Sequence, residues 1–212
     1  MTATPHPAAS LMAALARLLC GVRVRWHNFQ PDTRQRVYFG NHTSHLDALV
    51  VWAALPREVR AVTRPVAARD YWKNGALRRY LSEKVFRAVL IDRPANDPTL
   101  PLRATLAIIG QMIDAMGDPF SLIVFPEGTR GTGAEVKPFK SGLYYVALRK
   151  PGLEFVPAYL DNMNRILPKG EILPVPLLGT VTFGPPLRLE PDEPKRQFLA
   201  RARQALLQLR EQ

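Results

Sequence analysis

The sequence predicts an α/β fold, a single domain with a central mixed, largely parallel sheet flanked by helices, plus an N-terminal amphipathic helix. Short apolar segments alternate with helical patterns, which is typical of strands joined by crossover helices. The 212 residues suit one domain, because a core of that size buries roughly 70% of the unfolded surface. Hydrophobic residues make up 47% and charged residues 22% of the chain, which excludes a disordered protein.

The first half of the chain predicts a helix, a strand and a second helix, followed by shorter elements. Residues 37–39 are apolar and end at Gly40, which indicates a strand, and Pro56 ends the helix that follows. We expect Ser44 to be the N-cap of that helix, with Asp47 three residues further on in a capping box. The other expected elements are a helix at 8–22, a strand at 60–63, short helices at 69–87 around Gly75, and a strand at 89–91.

The second half contains the clearest helix and the clearest buried strand. Apolar residues recur at helical spacing between Leu102 and Met116, and residues 120–125 read F-S-L-I-V-F, an apolar strand. The last helix is expected to start near Asp192, with Pro194 in its first turn. A helix at 141–149 and strands at 155–160 and 180–183 complete the prediction.

The net charge is +11, and the first 93 residues carry +9 of it. A surface of this kind prefers a polyanion, such as a nucleic acid, an anionic membrane or an acidic protein. Cys20 is the only cysteine, so the chain has no internal disulfide and is compatible with a reducing cytoplasm.

The segment from Ala8 to Val22 is almost wholly apolar but too short to cross a bilayer, which takes about 20 apolar residues. It also lacks the basic n-region of a signal peptide. As a helix it places Leu11, Leu15 and Leu18 on one face. Two interpretations are open: the helix packs on the domain core, or it lies in the headgroup region of a membrane.

Residues 41–47, N-H-T-S-H-L-D, lie between a predicted strand and a predicted helix. Helical side chains lean toward the N-terminus of their helix, so the Asp47 carboxylate points back toward His42. A carboxylate that accepts from one ring nitrogen leaves the other nitrogen as a base. His42 and His45 could also form a metal pair, although no third histidine or cysteine ligand lies near them in sequence.

Three further groups of polar residues lie at predicted strand or helix ends. Residues 125–130, F-P-E-G-T-R, follow a buried strand directly, at the end where α/β sheets hold ligands. In that segment Glu127 could accept from a substrate hydroxyl, and the guanidinium of Arg130 could fork onto a phosphate. Arg93 follows the strand at 89–91 and offers a second guanidinium, and Lys140 precedes the helix at 141–149.

Together these segments resemble the four motifs of the glycerolipid acyltransferase family. Residues 41–47 resemble its first motif, with His and Asp separated by four residues, and residues 125–130 match its third in full. Residues 89–93 resemble its second motif, although Leu90 stands where phenylalanine is usual. Residues 156–159, V-P-A-Y, resemble its fourth.

The resemblance implies transfer of a fatty acyl group from a thioester to the free hydroxyl of 1-acylglycerol 3-phosphate, giving phosphatidic acid. His42 would be the general base and Asp47 its orienting partner. No metal or organic cofactor is implied. The substrate-binding residues would be Arg93, Glu127, Gly128, Thr129, Arg130 and Lys140.

The resemblance implies acyl-CoA or acyl carrier protein as the donor and a lysophospholipid as the acceptor. Glycerol 3-phosphate or another lyso-lipid is an alternative acceptor, and a non-catalytic lipid- or carrier-binding module is an alternative of another class. With this family the positive charge favours an anionic membrane surface or an acidic carrier over nucleic acid. We expect residues 1–30 to form the N-terminal amphipathic helix, which can lie at a membrane interface, and residues 31–212 to form the acyltransferase domain. The protein is expected in the cytoplasm, peripheral on the inner face of the cell membrane.

Overall fold

The core of the protein is built on one mixed sheet. The computed structural model describes residues 7–19, 21–72, 75–92, 102–133, 135–163 and 178–211. Within these ranges the strands are β1 (Arg23–Trp26), β2 (Arg36–Gly40), β3 (Thr63–Ala68), β4 (Val89–Ile91), β5 (Ser121–Val124), β6 (Glu154–Asp161) and β7 (Thr180–Phe183). Their order in the sheet is β1-β7-β6-β2-β5-β3-β4.

The centre of the sheet is parallel, as the alternation of strands and helices predicts. β2 pairs in parallel with both β5 and β6, and β3 continues the parallel set beside β5. β6 and β7 are antiparallel, which makes the sheet mixed. All five residues of β2 are buried, because helices cover both faces of a parallel sheet.

Helices pack on both faces of the sheet. They are α1 (Pro7–Leu19), α2 (Asp47–Ala54), α3 (Arg57–Ala61), α4 (Arg69–Trp72), α5 (Ala76–Tyr80), a π-helix (Leu81–Val85), α6 (Leu102–Met116), α7 (Gly142–Arg149), α8 (Lys195–Gln208) and a 3-10 turn (Leu209–Glu211). Residues of α1, α2 and the π-helix share one apolar core with Tyr38 and Phe183 of the sheet. Residues of α6, α7 and α8 share the other with Phe39 and Phe155.

Some predicted elements differ from the observed ones. The predicted strand at 60–63 is wrong, because α3 extends to Ala61 and the strand begins at Thr63. β1 was not predicted, since its sequence R-V-R-W has two apolar residues and both are only half-buried. The last helix begins at Lys195, and Pro194 is its N-cap instead of lying in the first turn.

The first helix packs on the domain through small residues. Ala9, Ala13 and Ala16 are buried against α2 and the sheet, whereas Leu11, Leu15 and Leu18 are 72%, 43% and 79% exposed. The helix therefore packs on the core through its alanines, and the leucine stripe lies on its outer side. Arg17 fixes the contact, because its guanidinium donates to the carbonyl oxygens of Ala53, Ala54 and Leu55 at the end of α2.

The described helices are all too short or too polar to cross a lipid bilayer.

Candidate active site

Two loops meet at the carboxyl edge of the sheet. β2 and β5 are parallel neighbours, so the residues that follow each strand lie side by side. His42 follows β2, and residues 125–130 follow β5. The loops are joined directly, because the backbone N–H of Gly131 donates to the carbonyl oxygen of His42 over 2.7 Å. The sheet therefore brings the two most distinctive sequence motifs together, at the edge where α/β proteins hold ligands.

His42 and Asp47 form a hydrogen-bonded pair. The Nδ1 of His42 lies 2.8 Å from the Oδ2 of Asp47, whose side chain is fully buried. The imidazole ring stacks on Phe125, with the ring centroids 4.5 Å apart. Because an ionised carboxylate accepts only, Nδ1 carries the proton in the neutral ring, and Nε2 keeps a lone pair. The His42 side chain is 19% exposed, so a substrate can reach it.

The same carboxylate orders the loop before α2. Its Oδ2 also accepts from the backbone N–H groups of Thr43 and Ser44, over 2.6 Å and 2.8 Å. The helix begins at Asp47, and its N-cap is therefore two residues later than the expected Ser44. The Ser44 hydroxyl accepts from the N–H of Leu46. Of the two hydrogen bonds of the expected capping box, only the one from the Ser44 N–H to the Asp47 carboxylate is formed, and Leu46 is the N-cap.

Glu127 is buried and bonded to backbone on both of its oxygens. Its Oε1 accepts from the backbone N–H of His42 over 2.8 Å, and its Oε2 accepts from the backbone N–H of Lys137 over 2.9 Å. The side chain is almost inaccessible, since the residue is 3% exposed. Together with the bond from Gly131, Glu127 holds the main chain of His42 on both sides.

Gly128 allows a lysine to cross the loop at close range. Its φ is +71°, and a Cβ there would lie 2.8 Å from the Cδ of Lys140. A larger residue would therefore be strained and would displace Lys140. The Nζ of Lys137 reaches the Thr129 hydroxyl at 3.3 Å and the carbonyl oxygen of Arg130 at 3.0 Å. The turn that carries Arg130 is thus held by a second lysine.

The surroundings of the histidines are cationic. Burial lowers the pKa of His45, and the charges of Arg130 and His42 lower it further. Arg78, on α5, acts on His45 in the same direction. The Asp47 carboxylate acts in the opposite direction, so Arg130 and Arg78 supply positive charge close to a buried carboxylate.

Arg93 lies outside the described residues. Asp92, just before it, accepts from the Nε of Arg69 over 2.9 Å at the exposed end of β4. Among the described residues, no group of three or more His, Cys, Asp and Glu side chains is arranged to hold a metal ion.

Sequence reasoning missed two residues of the site. Asn41 is buried, and its amide exchanges two hydrogen bonds of 2.8 Å with the backbone N–H and carbonyl of Leu160 on β6. It thereby fixes the backbone just before His42. A polar amide directly after a buried strand was the available signal. Arg78 gave no signal, because it is one of two adjacent arginines on a short helix.

The sequence model of the acyltransferase family matches residues 21–161. Among curated proteins, 1-acyl-sn-glycerol-3-phosphate acyltransferase alpha of Mus musculus is 32% identical over 166 residues, covering 76% of this chain and 53% of that protein. The 1-acyl-sn-glycerol-3-phosphate acyltransferase of Limnanthes douglasii is 26% identical over 186 residues, covering 85% of this chain and 60% of the relative. The chain thus spans a little over half the length of these relatives.

A solved structure has the same fold. The crystal structure of the 1-acyl-sn-glycerophosphate acyltransferase of Thermotoga maritima aligns with a TM-score of 0.70 at 18% identity, covering 96% of this chain and 78% of that one.

Proposed function

This chain belongs to the acyltransferase family, and we propose that it transfers a fatty acyl group to the free hydroxyl of 1-acylglycerol 3-phosphate, forming phosphatidic acid. The observation that carries the proposal is the 2.8 Å contact between His42 and buried Asp47, which leaves the other ring nitrogen free. The names of the similar proteins support the choice of acceptor.

In the proposed reaction, His42 is the general base. Its Nε2 takes the proton from the acceptor hydroxyl as the hydroxyl oxygen attacks the thioester carbonyl carbon. Asp47 holds the ring in the required tautomer and stabilises the imidazolium that forms. The carbon–sulfur bond then breaks, and the imidazolium returns the proton to the departing sulfur, so that the thiol leaves and His42 is neutral again. Because the acceptor oxygen attacks the thioester directly, the reaction needs no acyl-enzyme.

The acceptor phosphate is held by arginine in this proposal. Arg130 lies close enough to the histidines to lower the pKa of His45, and guanidinium groups bind phosphate through paired hydrogen bonds. Arg93 is proposed as a second phosphate ligand on sequence grounds alone. Lys140, which crosses Gly128, adds positive charge, and the Gly128–Thr129 backbone is proposed to border the glycerol part.

Glu127 is proposed to act on the reaction through His42. Both of its oxygens already accept from backbone N–H groups, which favours a positioning role over the direct contact with the acceptor that the sequence suggested.

The donor is proposed to be acyl-CoA or acyl carrier protein, both of which present a thioester. We also propose that the protein works at an anionic membrane surface, since its acceptor is a lipid and its net charge is +11. The exposed leucines of α1 are proposed to contribute to this contact.

A thiol-release assay tests the proposed function. The protein is mixed with acyl-CoA or acyl carrier protein and with each acceptor in turn: 1-acylglycerol 3-phosphate, glycerol 3-phosphate and a lyso-aminolipid. We expect thiol release that depends on 1-acylglycerol 3-phosphate, with phosphatidic acid as the product. Release with another acceptor only would reassign the substrate. No release with any pair would favour a non-catalytic lipid- or carrier-binding module.

His42→Ala is the sharpest variant for the same assay. We expect turnover to fall by about 10² to 10⁴, the usual contribution of a general base, with an unchanged circular dichroism spectrum. His45→Ala is the matched control, because it removes a neighbouring imidazole and retains both members of the His42–Asp47 pair. Near-normal turnover in a folded His42→Ala protein would overturn the assignment.

A further inference from the structure

A cavity lies at the opposite edge of the sheet from His42. It has a volume of about 240 Å³ and is bordered by α1, α3, the π-helix and the start of β3. β3 and β2 both run parallel to β5. The amino end of β3, where Thr63 and Arg64 line the cavity, therefore faces away from the carboxyl edge that carries the candidate active site.

The cavity is lined by five cations and no acidic residue: Arg57, Arg60, Arg64, Lys84 and Arg87. Within the described part of the chain, none of the five forms an ion pair with a carboxylate. Glu58 on α3 partly offsets the effect of the neighbouring cations on the pKa of Arg60. So much unpaired charge of one sign around a small cavity favours a bound anion.

Two of these arginines are held in place by contacts with the main chain and with an aromatic ring. Arg60 donates to the carbonyl oxygen of Leu55 over 3.1 Å, and Arg64 donates to that of Ala115 over 3.1 Å. The guanidinium of Arg64 also stacks 3.3 Å from the ring centroid of Phe120. These contacts fix the direction of both groups without neutralising them.

Neighbouring positive charges in this cluster repel one another. Burial lowers the pKa of Arg60, and Arg17 and Arg57 lower it further. Burial and then the charge of Arg87 lower the pKa of Arg64. Arg87 itself has a φ of +50°, which a non-glycine residue rarely adopts. Strain of this kind persists where the surrounding structure requires it, as it does at binding sites.

We propose that this cavity binds a phosphate group, separately from the candidate active site. Guanidinium groups pair with phosphate through parallel hydrogen bonds, and several arginines around one cavity suit that planar, multidentate recognition. Ala9 and Ser10 of α1 line the same cavity, and the next residue, Leu11, is 72% exposed. The phosphate can therefore come from a phospholipid headgroup, with its chains beside the leucines, or from a free phosphate.

The test removes the three exposed cations of the cavity. The cavity variant is Arg57→Gln, Lys84→Gln and Arg87→Gln, which keeps the buried contacts of Arg60 and Arg64. The control variant is Lys195→Gln, Arg196→Gln and Arg210→Gln, which removes the same charge from α8 and the turn after it, where the three residues are also exposed. Circular dichroism verifies that both variants fold.

Two probes separate the sources of phosphate. Inorganic phosphate is titrated calorimetrically at constant ionic strength, in an Arg130→Gln background so that the candidate active site does not contribute. Vesicles of phosphatidylcholine with phosphatidylglycerol are pelleted with each variant. Neither probe depends on catalysis, so a failure of the proposed acyl transfer would leave this result intact.

We expect the cavity variant to lose at least about tenfold in affinity for one or both probes, while the control variant loses much less. A loss seen with inorganic phosphate shows that a free phosphate suffices. A loss seen only with vesicles assigns the cavity to a lipid headgroup. Equal behaviour of the two variants with both probes would overturn the proposal, because net charge alone would then explain binding.

Discussion

Asp47 uses a single oxygen both to order the start of α2 and to orient His42. Its Oδ2 accepts from the imidazole and from the backbone N–H groups of Thr43 and Ser44. Helix capping and histidine orientation are therefore joint properties of one buried carboxylate. Substitution of Asp47 would disturb the loop and the ring together, which makes His42 the cleaner position at which to test the chemistry.

Glu127→Gln tests whether this residue positions His42 or contacts the acceptor. In the variant, one acceptor oxygen becomes an NH₂ group that faces a backbone N–H, and an unsatisfied buried donor costs about 1–3 kcal/mol. We expect kcat to fall about tenfold or more, with the KM for the acceptor changed by less than about threefold, because the damage acts through His42.

Steady-state kinetics over a range of pH check this prediction. A positioning role also moves the pH profile of kcat, since the histidine loses its fixed geometry. Glu135→Gln is the control, because Glu135 is an exposed acid close in sequence to the same loop. A rise in acceptor KM with an unchanged kcat would show instead that Glu127 binds the acceptor.

At the scale of residues, the sequence predicted the contact between side chains that are close along the chain. The contact between His42 and Asp47 spans five residues and follows from the lean of helical side chains. The bonds of Glu127 to His42 and of Asn41 to Leu160 span 85 and 119 residues. They depend on which strands are neighbours in the sheet, and a single sequence does not encode that in any local pattern.

At the scale of elements, β2 and β6 are joined by a buried ion network. Arg36 is fully buried, and it donates to Glu154 on β6 over 2.8 Å and to Asp32 over 2.6 Å. Arg188 also donates to Glu154, over 2.7 Å. Burial of Arg36 would lower its pKa, but these hydrogen bonds outweigh that effect and raise it. The guanidinium therefore stays charged inside the sheet and depends on its carboxylates.

The network predicts a loss of stability in acid. The pKa of Glu154 is lowered, because hydrogen bonds from Arg36 and Arg188 outweigh its burial. The pKa of Asp32 is lowered by Arg34 and Arg36. The stabilisation is therefore complete above the unfolded-state pKa values of about 4 to 4.5 and is lost as the pH falls further. We expect Tm to drop in that range.

Glu154→Gln checks the origin of the acid effect. We expect it to lower the free energy of unfolding near neutral pH by at least about 1 kcal/mol and to flatten the fall of Tm below about pH 4.5. Glu83→Gln, which removes an exposed carboxyl, serves as the control. Parallel Tm curves for wild type and Glu154→Gln would contradict the prediction. Thermal unfolding followed by circular dichroism gives these curves.

The buried alanine side and the exposed leucine side of α1 predict different results for two variants. Ala13→Leu enlarges a residue that is 2% exposed, so overpacking should lower the free energy of unfolding by about 1–3 kcal/mol. Leu11→Ser with Leu18→Ser changes only exposed side chains, so stability should stay within about 0.5 kcal/mol per residue while vesicle binding weakens. Denaturant unfolding and vesicle pelleting measure both effects. Equal vesicle binding by wild type and the serine variant would exclude the leucine face as a membrane contact.

Element prediction succeeded where burial is one-sided or complete and failed at the sheet edge. The helix at 102–116 and the strand at 180–183 were predicted with their observed bounds, since their apolar patterns match one periodicity. β1 lies at the edge of the sheet and alternates arginine with apolar residues. For α1 the pattern showed an apolar stripe, but only packing reveals that alanines face the core and leucines face outward.

At the scale of the molecule, the parallel sheet follows from the alternation of strands and helices, but its order does not. β7 pairs with β6, the strand before it in the chain, whereas β1 is placed beside β7 by pairing between segments near opposite ends of the chain. The order of the strands determines where the charged residues lie. Two groups of cations lie at separate edges: Arg130 at the carboxyl edge with His42, and Arg64 with its basic neighbours at the amino edge.

The whole-molecule charge predicts how the protein associates with membranes. A protein of net charge +11 should bind vesicles containing phosphatidylglycerol far more tightly than neutral vesicles of phosphatidylcholine. Raising the salt from about 0.1 M to about 1 M shortens the Debye length from about 10 Å to about 3 Å, so pelleting with the anionic vesicles should fall steeply. Binding that is unchanged by salt would contradict this prediction and assign membrane contact to the exposed leucines of α1, whose burial in lipid does not weaken with salt.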